Sequence, residues 1–214
     1  MQQQALAGHD VLTVGETPGT SPQQANELTN EESGVLSMVF QFEHMGLDGG
    51  ESKWQVKPWS LLELKQVMTR WQKGLEGRGW NSVYLTNHDQ PRALSRFGDD
   101  GVYRVESAKL LATFTHLLQG TPYIYQGEEL GMTNVAFPSI DDYRDIETLN
   151  AYREMVEEKG VAPQAAMASI YAKGRDNART PVQWDESPQA GFTTGTPWIK
   201  VNPCLLYTSD AADE

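Results

Sequence analysis

An adjacent histidine and aspartate, His88 and Asp89, are the residues of this sequence best suited to chemistry on a small polar substrate. They follow the run Asn81-Ser-Val-Tyr-Leu85, which predicts a short buried strand. At a strand end, a carboxylate accepts hydrogen bonds from the neighbouring hydroxyl groups of a polyol while the imidazole donates one, and this combination suits a sugar. The alternative is a polar turn in which Pro91 ends the strand and Asp89 bonds to nearby backbone.

Further carboxylates follow two other predicted strands. Glu16 comes after one of them, and the pair Glu128-Glu129 comes after another. A retaining glycosidase needs one carboxyl group that protonates the leaving oxygen and a second, about 5 Å away, that attacks the anomeric carbon. Loops at the same end of adjacent parallel strands can bring such residues together, but glutamate is also common in loops that have no catalytic role.

Other ligand chemistries have no matching pattern in the sequence. No pair of His or Cys residues has metal-ligand spacing, and neither a G-x-G-x-x-G motif nor a P-loop is present. We therefore expect no metal and no cofactor. His44 and His116 are expected to be packed histidines, each with a hydrogen bond, rather than ligands.

The elements that must position these residues are alternating strands and helices. Runs rich in β-branched and aromatic residues predict strands, and apolar residues at three- and four-residue spacing predict the helices. The predicted strands are 10–14, 37–42, 81–86 and 121–125, and the predicted helices are 61–75, 105–118 and 140–159. Their order indicates an α/β fold of parallel β/α units, in which the loops at the strand ends build the site. Residues 174–203 predict a long irregular loop.

Composition narrows the partners. The 214 residues, 39% of them hydrophobic, suffice for one large domain or two small ones. The formal charge of -12 opposes binding to nucleic acid or to an anionic membrane, so a neutral substrate is favoured. The single cysteine, Cys204, fits a reducing compartment. With no apolar run of membrane-spanning length and no leader, we expect a cytoplasmic protein.

Several motifs, in this order, resemble the α-amylase superfamily of glycoside hydrolases (glycoside hydrolase family 13), and within it the branch of oligo-1,6-glucosidases and α-glucosidases. The motifs are Thr13-Val-Gly-Glu-Thr17, Phe40-Gln-Phe-Glu-His44, Asn87-His-Asp-Gln-Pro-Arg92, Gly120-Thr-Pro-Tyr-Ile-Tyr-Gln-Gly-Glu-Glu129, Asp142-Tyr-Arg-Asp-Ile-Glu147 and Gly174-Arg-Asp-Asn-Ala-Arg-Thr-Pro-Val-Gln-Trp184. The resemblance covers about residues 5–203.

The resemblance implies a retaining α-glucosidase that cleaves α-1,6 bonds at the non-reducing end of short oligosaccharides. It implies that Glu16 is the general acid/base and that Asp89 is the carboxylate that binds the sugar's 2- and 3-hydroxyls in the oxocarbenium-like transition state. His88 is expected to share these hydroxyls. Glu147 and Arg179 resemble residues that line the sugar site.

The resemblance also implies that the chain is a fragment of a longer parent enzyme. In the family, an Asp nucleophile in a strand-four motif precedes the glutamate, and no matching motif is present here. Residues 1–203 therefore resemble strands five to eight of a (β/α)8 TIM barrel, the C-terminal part of the catalytic domain. Residues 204–214 resemble a translated sequencing adapter, and we expect them to be a non-native tail.

Two alternatives stay open. A trehalose-6-phosphate hydrolase (phosphotrehalase) shares almost all of these motifs and would be distinguished by a basic pocket for the phosphate. A noncatalytic amylase-like transporter subunit belongs to a different class of protein and would lack the nucleophile. The presence of Glu16 and of His88-Asp89 counts against this second alternative.

We predict that the isolated chain is poorly stable and catalytically inactive, because half of a barrel leaves unpaired parallel strand edges and an uncovered apolar face. Hydrolysis of an aryl α-glucoside by the purified chain is the measurement. Saturable hydrolysis that disappears in the Glu16→Gln variant would contradict the prediction.

Overall fold

The computed structural model describes residue 6 and residues 8–203, so the expected non-native tail, residues 204–214, lies outside the described residues. The described residues form two compact units. The first combines the chain up to Asp48 with Pro58–Tyr84 and Phe114–Tyr123. The second combines Gly49–Lys57, Leu85–Thr113 and the chain from Ile124 onward.

Short parallel strands define the first unit: β1 (Val14–Glu16), β2 (Met38–Phe40), β3 (Ser82–Val83) and β4 (Thr121–Pro122). β1 pairs with β2 in parallel, and Glu16 lies opposite Phe40. A parallel bridge joins Val39 to Asn81, directly before β3, and β3 pairs with β4 in parallel. The spatial order of the strands follows the chain, which is typical of consecutive β/α units and confirms the predicted α/β class.

Two helices of the first unit connect successive strands: α1 (Pro22–Thr29) follows β1, and α2 (Leu61–Leu75) follows β2. α2 begins where the sequence predicts, because the Ser60 hydroxyl accepts a hydrogen bond from the Glu63 amide at 3.4 Å. The apolar faces of both helices pack against β2. The residues of this core are Ala25, Val39, Val67, Trp71 and Leu75.

The second unit consists of helices joined by long irregular segments. It contains α3 (Ala93–Phe97), α5 (Ile146–Arg153), α6 (Pro163–Lys173) and most of α4 (Arg104–His116), whose last residues belong to the first unit. A π-helical turn, Glu154–Glu158, continues α5. The core of the second unit consists of side chains from loops and from α6: Val135, Phe137, Tyr143, Ile170 and Ile199. No helix among the described residues is long and apolar enough to cross a membrane.

Several predicted element bounds are wrong. The first strand is Val14–Glu16 rather than residues 10–14, since pairing with β2 decides its position and Val11 and Leu12 stay exposed. The strands predicted over 81–86 and 121–125 reduce to the two-residue β3 and β4. The helix predicted over 140–159 begins only at Ile146, because Asp145 caps it.

Three short helices, α1, α3 and α6, were not predicted. The start of α1 did carry a signal, since Ser21 and Gln24 form a reciprocal capping box. The predicted packing of His116 is wrong, because His116 is exposed on α4. Residues 174–203 contain only short 3-10 turns, which confirms the predicted irregular loop.

We predict that Trp71→Ala lowers the free energy of unfolding by about 3–5 kcal/mol, because the buried indole fills the core between both helices and β2. Its Nε1 also donates a hydrogen bond to the Glu43 carboxylate at 2.8 Å. The control Leu62→Ala, on the exposed face of α2, should cost less than about 0.5 kcal/mol. Urea unfolding followed by circular dichroism compares both variants with the unchanged chain. Trp71→Ala should unfold at a much lower urea concentration or be unfolded without urea, and equal midpoints for the two variants would contradict the prediction.

Candidate active site

The loop that carries His88 and Asp89 is held by local polar contacts in the second unit. The Asn87 side-chain oxygen accepts a hydrogen bond from the Asp89 amide at 2.8 Å, and the Thr86 hydroxyl donates to the Pro91 carbonyl at 2.7 Å. An Asx-type turn therefore exists, but Asn87 makes it. The Asp89 carboxylate remains available for other contacts.

Arg92, the last residue of the motif Asn87-His-Asp-Gln-Pro-Arg92, anchors the loop through its buried side chain. Its buried guanidinium donates from Nε to the Asn177 carbonyl at 3.0 Å and from Nη1 to the Gln126 carbonyl at 2.6 Å. It also lies over the Tyr125 ring, 5.5 Å from the ring centroid. Burial lowers the pKa of Arg92 to about 10. The Asp89 loop is thereby fixed against the segment that carries Arg179.

The two oxygens of the Asp89 carboxylate have different partners. Oδ1 lies 2.7 Å from Arg179 Nη2 and 3.4 Å from Arg175 Nη1. Oδ2 lies 3.4 Å from His88 Nε2. Arg179 also donates from Nε to the His88 carbonyl at 3.0 Å, so it holds both residues of the pair. The Asp89 side chain is 40% exposed, and solvent or a ligand can reach it.

Asp145 is a second carboxylate that contacts Arg175 and Arg179, and its side chain is only 1% exposed. It accepts from Arg175 Nη2 at 2.6 Å and lies 3.5 Å from Arg179 Nη1. Burial raises the pKa of the Asp145 carboxyl, but hydrogen bonds from Arg175 and Thr148 outweigh burial and hold it below its ordinary value. The hydrogen bond to Asp145 in turn raises the pKa of Arg175.

Glu147 and Lys53 complete the group. Glu147 Oε2 lies 2.5 Å from Lys53 Nζ and 3.0 Å from Arg175 Nε. We call these residues the ionic cluster: three cations and three carboxylates, namely Lys53, Asp89, Asp145, Glu147, Arg175 and Arg179.

The ionic cluster is balanced in charge, and its rim is partly open to solvent. Asp89 and Glu147 are 40% and 39% exposed, and each can accept hydrogen bonds from hydroxyl groups. His88, which is 63% exposed, can add a donor. Such a mixture of fixed donors and acceptors without net charge suits a neutral polyhydroxyl ligand.

Glu16 lies in the first unit, whereas the other predicted site residues lie in the second. It is the last residue of β1, and its side chain is exposed. The next residue, Thr17, donates to the Phe40 carbonyl from both its amide and its hydroxyl, each at 3.0 Å. The Phe40 ring packs edge-on against Tyr123 and Tyr84, with centroid distances of 4.5 and 5.1 Å. Glu16 thus lies at the same strand ends as an aromatic cluster.

Three members of the ionic cluster, Lys53, Asp145 and Arg175, were not predicted as site residues. Only Asp145 carried a local signal, as an Asp directly before a helical pattern. His44 is packed, as predicted: Nδ1 lies 2.7 Å from Gln41 Nε2, and Nε2 lies 2.9 Å from the Tyr84 carbonyl oxygen. Among the described residues, no group of three or more His, Cys, Asp or Glu side chains could hold a metal ion.

Parallel β/α units, with polar residues in the loops after the strands, are the arrangement in which α/β enzymes build their sites. The chain belongs to the α-amylase family, since residues 1–212 match the family model described as "Alpha amylase, catalytic domain".

Known relatives are similar over nearly the whole chain. The oligo-1,6-glucosidase of Parageobacillus thermoglucosidasius is 67% identical over 95% of this chain and 36% of the relative. The trehalose-6-phosphate hydrolase of Bacillus subtilis is 52% identical over 94% of this chain and 36% of the relative. The crystal structure of Bacillus licheniformis trehalose-6-phosphate hydrolase superposes with a TM-score of 0.89 at 48% identity, covering 94% of this chain and 37% of that one. The chain thus spans little more than a third of the length of these relatives.

We predict that Arg92→Lys destabilises the second unit by about 2–3 kcal/mol, because a lysine cannot reach the carbonyls of Asn177 and Gln126 together and leaves a buried acceptor unpaired. The matched control is Arg153→Lys at an exposed position on α5, which should change stability by less than about 0.5 kcal/mol. Thermal unfolding of both variants provides the comparison, and an unchanged midpoint for Arg92→Lys would refute the proposed anchoring.

Proposed function

We propose that this chain is part of a retaining α-glucosidase that hydrolyses α-1,6 bonds at the non-reducing end of short oligosaccharides. The observation that carries the proposal is the Asp89 carboxylate, which Arg179 holds through Oδ1 at 2.7 Å while Oδ2 faces His88. A carboxylate oriented in this way can accept hydrogen bonds from two vicinal hydroxyls of a glucosyl ring. The identity of 67% with an oligo-1,6-glucosidase supports the same proposal.

In the proposed mechanism, Asp89 and His88 bind the 2- and 3-hydroxyls more strongly as the ring flattens toward the oxocarbenium-like transition state. Binding energy that grows toward the transition state accelerates the chemical step. Arg179 orients the Asp89 carboxylate, since it donates to Oδ1 and leaves Oδ2 for the sugar. Glu147 and Arg179 line the sugar site.

Glu16 is the proposed general acid/base. It protonates the glycosidic oxygen and later activates the water that releases the sugar, and such catalysis contributes about 10²- to 10⁴-fold. We place the attacking carboxylate in a part of the parent enzyme that this chain does not span, so the chain alone would be inactive. In this proposal the four strands correspond to strands five to eight of a (β/α)8 barrel, and the parent enzyme is cytoplasmic.

A trehalose-6-phosphate hydrolase is the main competing candidate, because such an enzyme is 52% identical to the chain. Its substrate carries a phosphate, which adds roughly 1.5 to 2 negative charges. In the ionic cluster, Lys53, Arg175 and Arg179 each face a carboxylate within 3 Å or less. No surplus of positive charge remains in this cluster, and this balance favours a neutral glucoside.

Reciprocal hybrid enzymes test the choice of substrate. Residues 8–203 replace the corresponding segment either of the Parageobacillus thermoglucosidasius oligo-1,6-glucosidase or of the Bacillus subtilis trehalose-6-phosphate hydrolase. We expect the first hybrid to hydrolyse isomaltose with retention of configuration, which proton NMR detects. We expect the second hybrid to lose most of its hydrolysis of trehalose 6-phosphate. The opposite pattern, with activity only in the second hybrid, would overturn the proposed substrate.

In the first hybrid, which we call the glucosidase hybrid, Glu16→Gln should lower kcat for isomaltose by about 10²- to 10⁴-fold. With an aryl α-glucoside, azide should accelerate the Glu16→Gln variant, because azide attacks the glycosyl intermediate without a general base. Asp89→Asn should be equally slow but insensitive to azide. Glu129→Gln, at an exposed position after β4, is the control and should retain full activity. Azide rescue of Asp89→Asn would contradict the assigned roles.

A further inference from the structure

Two arginines converge on one oxygen of Asp89. Arg175 is the first residue of a short 3-10 turn, Arg175–Ala178, and Arg179 directly follows this turn. Both point a terminal nitrogen at Asp89 Oδ1. Two guanidinium groups this close repel each other unless a further anion lies between them. Asp145 provides this anion, at 2.6 Å from Arg175 and 3.5 Å from Arg179.

Asp145 is itself rigidly held. Its carboxylate caps α5 and accepts from the Thr148 amide at 3.2 Å and from the Thr148 hydroxyl at 2.9 Å. Its own amide donates to the buried Asp176 carboxylate at 2.9 Å, and the neighbouring Arg144 amide donates to the same oxygen at 2.6 Å. An aspartate whose backbone amide and carboxylate are both held in this way can fix the two arginines in turn.

We propose that Asp145 is a positioning residue for the sugar-binding carboxylate. It aligns Arg175 and Arg179 so that both engage Oδ1 of Asp89, and Oδ2 then stays directed at His88 for the sugar hydroxyls. Asp145 is 1% exposed and does not reach the substrate itself, so it acts through the arginines. The inference rests on the proposed glucosidase function.

The competing explanation is that Asp145 serves only to cap α5. Thr148 and Arg175 share the Asp145 carboxylate, so the two roles are separated by one variant that affects α5 and another that affects the contacts with the arginines. Leu149→Ala loosens the packing of α5 while it leaves Asp145, Thr148 and both arginines unchanged. Asp145→Asn preserves a good helix cap but weakens the contacts with both cations.

Steady-state kinetics of the glucosidase hybrid on isomaltose, with each variant confirmed as folded by circular dichroism, test the inference. Asp145→Asn should lower kcat by about 10- to 100-fold and change KM by less than about 3-fold, since a small misplacement of a site group costs rate rather than binding. Leu149→Ala, which loosens the packing of α5 without removing a contact of the Asp145 carboxylate, should keep kcat within about 2-fold even though it loses stability. A role in capping alone would give the two variants equal kcat values.

A double-mutant cycle provides the second test and does not depend on the stability of one variant. Arg175→Lys keeps the charge but cannot bridge Asp145 and Asp89, so it should lower kcat to a similar extent. If Asp145 acts through Arg175, adding Asp145→Asn to Arg175→Lys should lower kcat by less than about 3-fold more. Losses that multiply in the double variant would overturn the inference, as would an unchanged kcat in Asp145→Asn.

Failure of the underlying function gives a different result. An inactive hybrid with the wild-type residues would remove the proposed glucosidase function, and the positioning role would be rejected with it. An active hybrid whose kcat is insensitive to Asp145→Asn and to Arg175→Lys would leave the glucosidase function intact and reject only the positioning role.

Discussion

The buried guanidinium of Arg92 is the constraint on which the second unit's site depends. Removing a charged group from water costs several kcal/mol unless hydrogen bonds replace its hydration. Arg92 meets this demand with the carbonyls of Gln126 and Asn177, which belong to two segments far apart in the chain. The planar fork of arginine can bridge both carbonyls, whereas the point charge of a lysine cannot. The need to satisfy one buried cation therefore fixes three loops against one another.

Side-chain amides also satisfy buried backbone groups in the segments of the second unit that have no regular secondary structure. Backbone groups that are buried in irregular segments need partners from elsewhere. Asn177 accepts from the Val135 amide at 2.9 Å and donates to the Tyr171 carbonyl at 2.8 Å. Asn134 accepts from the Arg92 amide and donates to that same Tyr171 carbonyl. These side chains supply the hydrogen bonds that a strand would receive from its neighbour, and so an irregular chain can present Arg175 and Arg179 at defined positions.

The parts of the fold that local physics decides were predictable from the sequence. The spacing of apolar residues and the Ser60 cap predict α2. The position of Asp89 directly after a predicted buried strand indicates a candidate site residue. β1 was misplaced because pairing with β2, and not the β propensity of Val11 and Leu12, sets its register. Strand propensity reports local fit to a sheet, whereas the pairing partner lies more than twenty residues away.

The ionic cluster was only half predictable for a related reason. Arg179 and Glu147 were named from motif resemblance, but Arg175 reaches Asp89 across 86 residues and Asp145 across 30. No periodicity encodes such contacts, which depend on how Arg92 and the asparagines fold the intervening loops.

The charge balance of the ionic cluster contrasts with the net negative charge of the chain. The chain carries a formal charge of -12, yet the cluster pairs its three cations with three carboxylates. Positive groups at the site therefore orient carboxylates and do not create an attractive field for an anion. In the proposed function, the selection of a neutral sugar therefore rests on the hydrogen-bond geometry around Asp89, which Arg175 and Arg179 hold in place.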